Sequence, residues 1–329
     1  LLILREIVIP LLFGLALFLF GMKIMESSLQ AWAGPRLVRV LNASTTTPLR
    51  GLLFSTGITA ILQSSTAVTV MTMGLVNAGI LTYARSLGII LGGNIGTCLT
   101  TELIAFNFTT LGLPLLLFSV SLWTATIIAS EMLANYPQLW LHRLRSLQHA
   151  ALASAGFSII MIAIRWMQSI SPTLQAAGVL EWFTTRAADS VLWGAAAGAI
   201  LTALIHSSAA VIGMTMTLVG TGALPVELGI AMVIGSNVGT CVTALLASIG
   251  GTRSGSFVAW SHVALNVGGA LLFLPMISAL QHMSALFSDD PATQIAHSQT
   301  LFNIICSVGA LPLCYLPMWR HPRFKMSES

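Results

Sequence analysis

The sequence predicts an all-α polytopic membrane protein: two inverted-topology repeats, each with a re-entrant helical hairpin and a broken transmembrane helix, plus one extra C-terminal transmembrane helix. Three observations predict it. Hydrophobic residues make up 56% of the 329, charged residues only 7%, and the mean hydropathy is +0.89, a balance from which no water-facing surface can be assembled. Apolar stretches near 7–26, 86–106, 111–133, 147–168, 228–249, 256–281 and 297–318 each have about the 20 residues that span a hydrocarbon core. A set of polar motifs also recurs at one fixed offset.

The first stretch, 7–26, reads as an anchor. Leu1 stands in place of an initiator Met and no cleavable signal pattern follows, so the chain reads as a trimmed or processed piece. The duplication begins with Thr59-x-x-x-Gln63-Ser64-Ser65, which returns as Thr202-x-x-x-His206-Ser207-Ser208. Gly92-x-Asn94-x-Gly96-Thr97-Cys98-x-Thr100 returns as Gly235-x-Asn237-x-Gly239-Thr240-Cys241-x-Thr243, and every pair is 143 residues apart. Asn94 follows Gln63 by 31 residues and Asn237 follows His206 by the same 31. Thr72-Met73, Gly79 and Leu81 likewise pair with Thr215-Met216, Gly222 and Leu224.

Residues 48–77 and 191–220 are apolar but interrupted at their centres by the Gln/His-Ser-Ser runs, and each half is too short to span alone. A re-entrant hairpin, entering and leaving on one side, is the expectation. Each repeat then contributes three crossings, an odd number, so the second copy sits upside down relative to the first. The resulting divisions are 1–146 (hairpin 48–77, broken helix 86–106), 147–289 (hairpin 191–220, broken helix 228–249), and 290–329, the final transmembrane helix and a cytoplasmic tail.

The charge distribution gives an orientation. With the N-terminus outside and the C-terminus cytoplasmic, Lys23, Arg36, Arg39, Arg50, Arg85, Arg143, Arg145, Arg253, Arg320, Arg323 and Lys325 fall on the cytoplasmic side, eleven of the 14 basic residues, as the positive-inside rule requires of a cytoplasmic (inner) membrane protein. Arg5, Arg165 and Arg186 lie near the other side. The presumed outer loop 282–296 holds Asp289 and Asp290 and no Lys or Arg.

Composition also excludes whole classes. Cys98, Cys241, Cys306 and Cys314 lie in apolar helical context without metal-ligand spacing or a disulfide framework. The basic residues are scattered at helix ends rather than clustered with aromatics, which argues against nucleic acid. Ser207 follows His206, but adjacent residues in a tight turn rarely face one another and no carboxylate is placed to orient the imidazole, so the chain does not read as an enzyme.

In hydrocarbon a helix can break only where protein or a water-filled cavity satisfies the freed backbone. At Gln63-Ser64-Ser65-Thr66 and His206-Ser207-Ser208 the break would expose amide N–H groups at a helix start beside hydroxyl donors, a place where an anion is held without Lys or Arg; the alternative is that these serines only let helices pack closely. At 92–97 and 235–240 glycines flank an Asn, which predicts an unwound turn. Its freed carbonyls, with the oxygens of Asn94, Thr97, Asn237 and Thr240, are hard donors suited to Na⁺. Close packing of the small-xxx-small kind is the alternative there. Glu102, whose repeat partner is Leu245, reads as interfacial. His149, His262 and His297, with Asn266 and Asn303, read as inter-helix hydrogen-bonding groups, whereas His206 holds the place of Gln63.

These doubled motifs, with Phe302-Asn303 in the last crossing, resemble the sodium–phosphate cotransporter family that includes the type II renal and intestinal carriers and bacterial relatives, over nearly the whole chain. The resemblance implies a secondary active transporter that carries inorganic phosphate inward with Na⁺ as the co-transported ion and no organic cofactor. It implies a substrate site lined by Gln63, Ser64, Ser65, Thr66, His206, Ser207, Ser208, Asn94 and Asn237, with Ser65, Thr97, Ser208, Thr240, Asn94 and Asn237 serving Na⁺, partly through backbone carbonyls. The family pattern has Gln followed by three hydroxyl residues in both copies; here the second copy has His206 and Ala209, one donor fewer. Some bacterial relatives also carry a soluble C-terminal regulatory domain. Another small anion with Na⁺ or H⁺ coupling, or a passive channel or membrane scaffold, remains as the alternative; a homodimer is compatible with either.

Overall fold

The computed structural model describes residues 4–106, 108–133, 138–176, 190–249 and 252–317. Arg186, Arg320, Arg323 and Lys325, and with them the tail of the final segment, lie outside the described residues. The described residues are helical, without a strand. Seven helices among them are long and apolar enough to cross a membrane: Arg5–Ala33, Tyr83–Ala105, Thr109–Met132, Trp140–Ser169, Val226–Ser248, Arg253–Ala285 and Pro291–Tyr315. The chain is a multi-pass helical membrane protein, and these spans coincide with the seven apolar stretches of the sequence.

In order, the helices are α1 (Ile9–Ser44), α2 (Pro48–Leu62), α3 (Ser65–Asn77), α4 (Tyr83–Ala105), α5 (Gly112–Met132), α6 (Gln138–Ser169), α7 (Ser171–Ala176), α8 (Leu192–Ile205), α9 (Ser208–Gly220), α10 (Val226–Gly239), α11 (Cys241–Ser248), α12 (Arg253–Phe273), α13 (Ile277–Ala285) and α14 (Pro291–Ala310). They form two compact units, Leu1–Gly34 with Phe106–Ala177, and Pro35–Ala105 with Gly178–Ser329.

In the first unit the backbones of α1 and α6 touch. A Cβ on Gly21 would lie 2.7 Å from the carbonyl oxygen of Gly156, and one on Gly156 2.6 Å from that of Gly21, the small-residue contact by which helices associate where no hydrophobic force draws them together. Helix α5 is tied to α6 by Ser119 Oγ and Ser154 Oγ at 2.8 Å and by Gln148 Nε2 donating to the Thr126 carbonyl at 3.2 Å.

In the second unit α2 lies along α4, and α8 along α10. This contact explains the glycines. A Cβ on Gly88 would collide with the carbonyl of Pro48, one on Gly92 with that of Leu52, and one on Gly96 would stand 2.6 Å from that of Thr56. In the other copy a Cβ on Gly235 would collide with the carbonyl of Ala195, and one on Gly239 would stand 2.5 Å from that of Ala199.

The expectation of a broken transmembrane helix is therefore corrected at 86–106 and reduced to a single residue, Thr240, at 228–249. Helix α4 is continuous through Gly92–Thr97. The junction of α10 and α11 is Thr240 alone, with helical φ −62° and ψ −22° and its N–H bonded to the Ser236 carbonyl at 3.1 Å. Each helical glycine costs roughly 1 kcal/mol of propensity, and the close approach of a neighbouring backbone offsets it. Within these segments Thr97 Oγ donates to the Asn94 carbonyl at 2.7 Å and Thr240 Oγ to that of Asn237 at 2.6 Å.

Candidate functional site

The true breaks are the two polar tips. Gln63 and His206 end α2 and α8 in the left-handed conformation, at φ 56° and φ 58°, the two non-glycine residues with positive φ among those described. An L-residue there costs on the order of 1–2 kcal/mol, and only Gln63 and Ser64 separate α2 from α3, and His206 and Ser207 α8 from α9. The next residue caps the following helix: Ser64 Oγ accepts from the Ala67 N–H and Ser207 Oγ from the Ala210 N–H, each at 3.3 Å. Each cap is worth about 1 kcal/mol. The amides of Ser65 and Thr66, and of Ser208 and Ala209, thus lie in a first helical turn, where N–H groups have no intrahelical acceptor.

Each tip crosses to the other copy. Helix α3 packs against α11 and α12, and α9 against α4 and α14. At the first crossing Ser65, Thr66, Thr69, Thr240, Thr243 and His262 line a narrow cavity with room for about one water. Its two walls differ. The α3 side brings first-turn amides and hydroxyls. On the α11 side the hydroxyl protons are committed, Thr240 to the Asn237 carbonyl at 2.6 Å and Thr243 to the Thr240 carbonyl at 2.8 Å, so these oxygens keep only lone pairs to offer. No Lys, Arg, Asp or Glu belongs to the lining.

Behind the cavity lies a buried polar network. Asn94 Nδ2 donates to Asn266 Oδ1 at 3.1 Å, and Asn94 Oδ1 meets His262 Nε2 at 3.2 Å. Asn237 Oδ1 accepts from Asn303 Nδ2 at 3.3 Å. The cysteines join it as small buried groups: Asn303 Nδ2 faces Cys98 Sγ at 3.4 Å and Asn266 Nδ2 faces Cys241 Sγ at 3.5 Å. Helices α12 and α14 therefore play matching parts, and the match is visible as Ser261-His262-x-x-Leu265-Asn266 beside Ser298-Gln299-x-x-Phe302-Asn303, 37 residues apart.

Of the residues singled out by sequence, the structure brings Ser65, Thr66 and Thr240, and with them His262, to one cavity. Asn94 reaches it only through His262, and Asn237 only through the carbonyl that holds Thr240. Gln63 is a brace: its Nε2 donates to the Ala60 carbonyl and its Oε1 accepts from Thr100, both at 2.5 Å. Ser64 is the cap. His206, Ser207 and Ser208 lie at the start of α9, at the second crossing, where His206 is exposed; Thr97 lies on α4, against which α9 packs, with its hydroxyl bonded to the Asn94 carbonyl. Sequence reasoning missed Thr69 and the lining role of Thr243, although Thr69 stands four residues after Ser65 and Thr243 three after Thr240, one helical face in each case. Glu102 is about a quarter exposed, with His297 Nδ1 at 3.1 Å and Thr300 Oγ at 2.5 Å.

The profile of a family described as Na⁺/Pi-cotransporter matches residues 17–169 and again 170–311. The protein YqeW of Bacillus subtilis, whose name assigns it no activity, is 32% identical over 301 residues, 91% of this chain and 92% of YqeW. YjbB of Escherichia coli K12, named as a candidate inorganic phosphate export protein, is 26% identical over 303 residues, 92% of this chain and 53% of YjbB, so the chain spans about half of that relative. Sodium-dependent phosphate transport protein 2A of Oryctolagus cuniculus is 36% identical over 83 residues, 24% of this chain and 13% of that protein. No solved structure matches the chain.

Proposed function

The chain belongs to the Na⁺/Pi-cotransporter family, and from that membership and the cavity between α3 and α11 we propose that it is a secondary active transporter carrying inorganic phosphate together with Na⁺. The observation that carries the reading is the division of the cavity walls. The start of α3 offers amides and hydroxyls to an anion, worth roughly 0.3–2 kcal/mol from the helix dipole alone. Thr240 and Thr243 offer hydroxyl oxygens to a cation of the hard, oxygen-seeking kind. With neither a basic nor an acidic side chain in the lining, each ion supplies the countercharge of the other. Neither binds well alone, and that mutual dependence is the coupling.

Ser65, Thr66 and Thr69 hold the phosphate in this reading, Thr240 and Thr243 the Na⁺, and Ser64 and Gln63 shape the tip. His206, Ser207 and Ser208, with Thr97 on the facing helix, take a smaller share. Asn94 and Asn237 orient their neighbours. The cavity must widen to take a tetrahedral anion, and the parting elements are the α3 tip and the α11–α12 face. The two family matches in tandem, the 143-residue offset and the paired left-handed tips support two inverted repeats with re-entrant hairpins, and the distribution of basic residues supports a cytoplasmic membrane location with the N-terminus outside and the C-terminus cytoplasmic. The exposed apolar face of α5, with Leu113, Leu117 and Phe118, suits lipid or a second subunit.

Uptake of labelled phosphate into proteoliposomes under an imposed Na⁺ gradient, against K⁺ and H⁺ gradients, tests the reading. Accumulation that needs Na⁺ is expected; accumulation driven by H⁺ alone, or none, would sink Na⁺ symport. Reversing the gradient gives the direction, a separate question since a relative is named for export.

A further inference from the structure

The network behind the cavity fixes the ring of His262 and leaves one of its nitrogens without a partner. Asn266 Nδ2 donates to the carbonyl oxygen of His262 at 3.1 Å, an acceptor whose role cannot be reversed. Asn266 Oδ1 is then an acceptor, filled by Asn94 Nδ2 at 3.1 Å. Asn94 Oδ1 is an acceptor in its turn, so His262 Nε2, 3.2 Å away, is the donor. The proton of the neutral ring therefore sits at Nε2, and Nδ1 carries a lone pair. That Nδ1 is buried with no hydrogen-bond partner, in a side chain 4% exposed whose residue lines the cavity beside Ser65, Thr66 and Thr69. A buried polar atom left in this state calls for a ligand or water.

The chemistry of a lone pair at that place narrows the ligand. Na⁺ takes oxygen in preference to imidazole nitrogen and has Thr240 and Thr243 to hand. A fully deprotonated anion has nothing to give an acceptor and is repelled by it. An oxyanion that keeps an O–H at neutral pH can present its oxygens to α3 and its hydrogen to the ring. We propose, on the phosphate-carrier reading above, that His262 Nδ1 accepts a hydrogen bond from the protonated oxygen of the bound oxyanion. His262 is then the residue that selects hydrogen-bearing oxyanions over sulfate. It was legible in the sequence only as one of several histidines in apolar helices.

The test uses the unaltered full chain in proteoliposomes. Arsenate and monofluorophosphate both resemble phosphate in shape, but arsenate keeps an O–H and monofluorophosphate, like sulfate, has none. Arsenate should compete with labelled phosphate within a fewfold of phosphate itself, and monofluorophosphate and sulfate at least roughly tenfold more weakly, the discrimination expected of a buried group left unpaired. His262→Phe should weaken phosphate by about the same factor and leave monofluorophosphate and sulfate where they were. Because this substitution also strips Asn94 of a partner and can lower folded yield, the analogue series on the unaltered protein is decisive. Equal competition by monofluorophosphate and arsenate would mean that Nδ1 holds only water, and overturns the proposal while leaving phosphate transport intact. Absence of both phosphate uptake and phosphate binding would remove the carrier reading and this inference together.

Discussion

The two crossings of the second unit share a backbone and differ in what fills them. At the first, α3 meets α11 and α12 with Ser65, Thr66 and Thr69, and a polar cavity opens among Thr240, Thr243 and His262. At the second, the corresponding positions of α9 are Ser208, Ala209 and Ile212, with Ile212 fully buried. On α4, against which α9 packs, the hydroxyls of Thr100 and Thr101 donate to the side-chain oxygens of Gln63 and Gln299, each at 2.5 Å. Duplication preserved the left-handed break, the serine cap and the glycine contacts, since these make the fold. The side chains that face the gap were free to diverge, and they left one crossing with a polar cavity and the other with buried Ile212 in the place of Thr69.

Substitutions at matched positions sharpen that contrast. Ser65→Ala with Thr66→Ala should lower the initial rate of phosphate uptake at least about tenfold, through donors lost at the site, whereas Ser208→Ala should cost less than roughly threefold; equal losses at equal folded yield would abolish the distinction. Ile212→Thr with Ala209→Thr, which writes the first crossing into the second, should lower stability by about 1–3 kcal/mol through a buried hydroxyl and lost packing, read as a fall in the melting temperature, and confer no second transport site. The tips should also part company under glycine substitution. Gln63→Gly gives up two side-chain bonds and should destabilise by about 1 kcal/mol after the relief of positive φ, while His206→Gly loses only an exposed ring and should be neutral or stabilising by up to about 1 kcal/mol. Smallest is Glu102→Gln, which removes a part-exposed pair with His297 and should change stability by less than about 1 kcal/mol and uptake not measurably.

The same contrast accounts for what could be read from sequence. The membrane class, the seven spans and the polar tips were legible because each rests on local composition or a repeated string. The glycine segments at 92–97 and 235–240 were misread because the cost of glycine to a helix is local, whereas its compensation, a carbonyl of α2 or α8 in contact, comes from another part of the chain. The pairing of α12 with α14 escaped because its 37-residue offset differs from the 143 of the main duplication and joins His262 to Gln299, two residues of unlike chemistry. The cavity itself arises from crossing, and no single stretch of chain contains both of its walls.

The glycine contacts carry one more consequence. Where helices meet through side chains, small rotamer changes let them slide past each other; where α2 meets α4 and α8 meets α10 through bare backbone, there is no soft layer to shear. Each pair must travel as a single stiff wedge, and the tip at its end travels with it. The compliance of this unit is then concentrated at the faces where α3 and α9 cross over, which are also the faces that hold the cavity and its closed counterpart. The two wedges are joined through α12 and α14, each of which packs against both α4 and α10, and through the Asn94 and Asn237 side chains that bond to them.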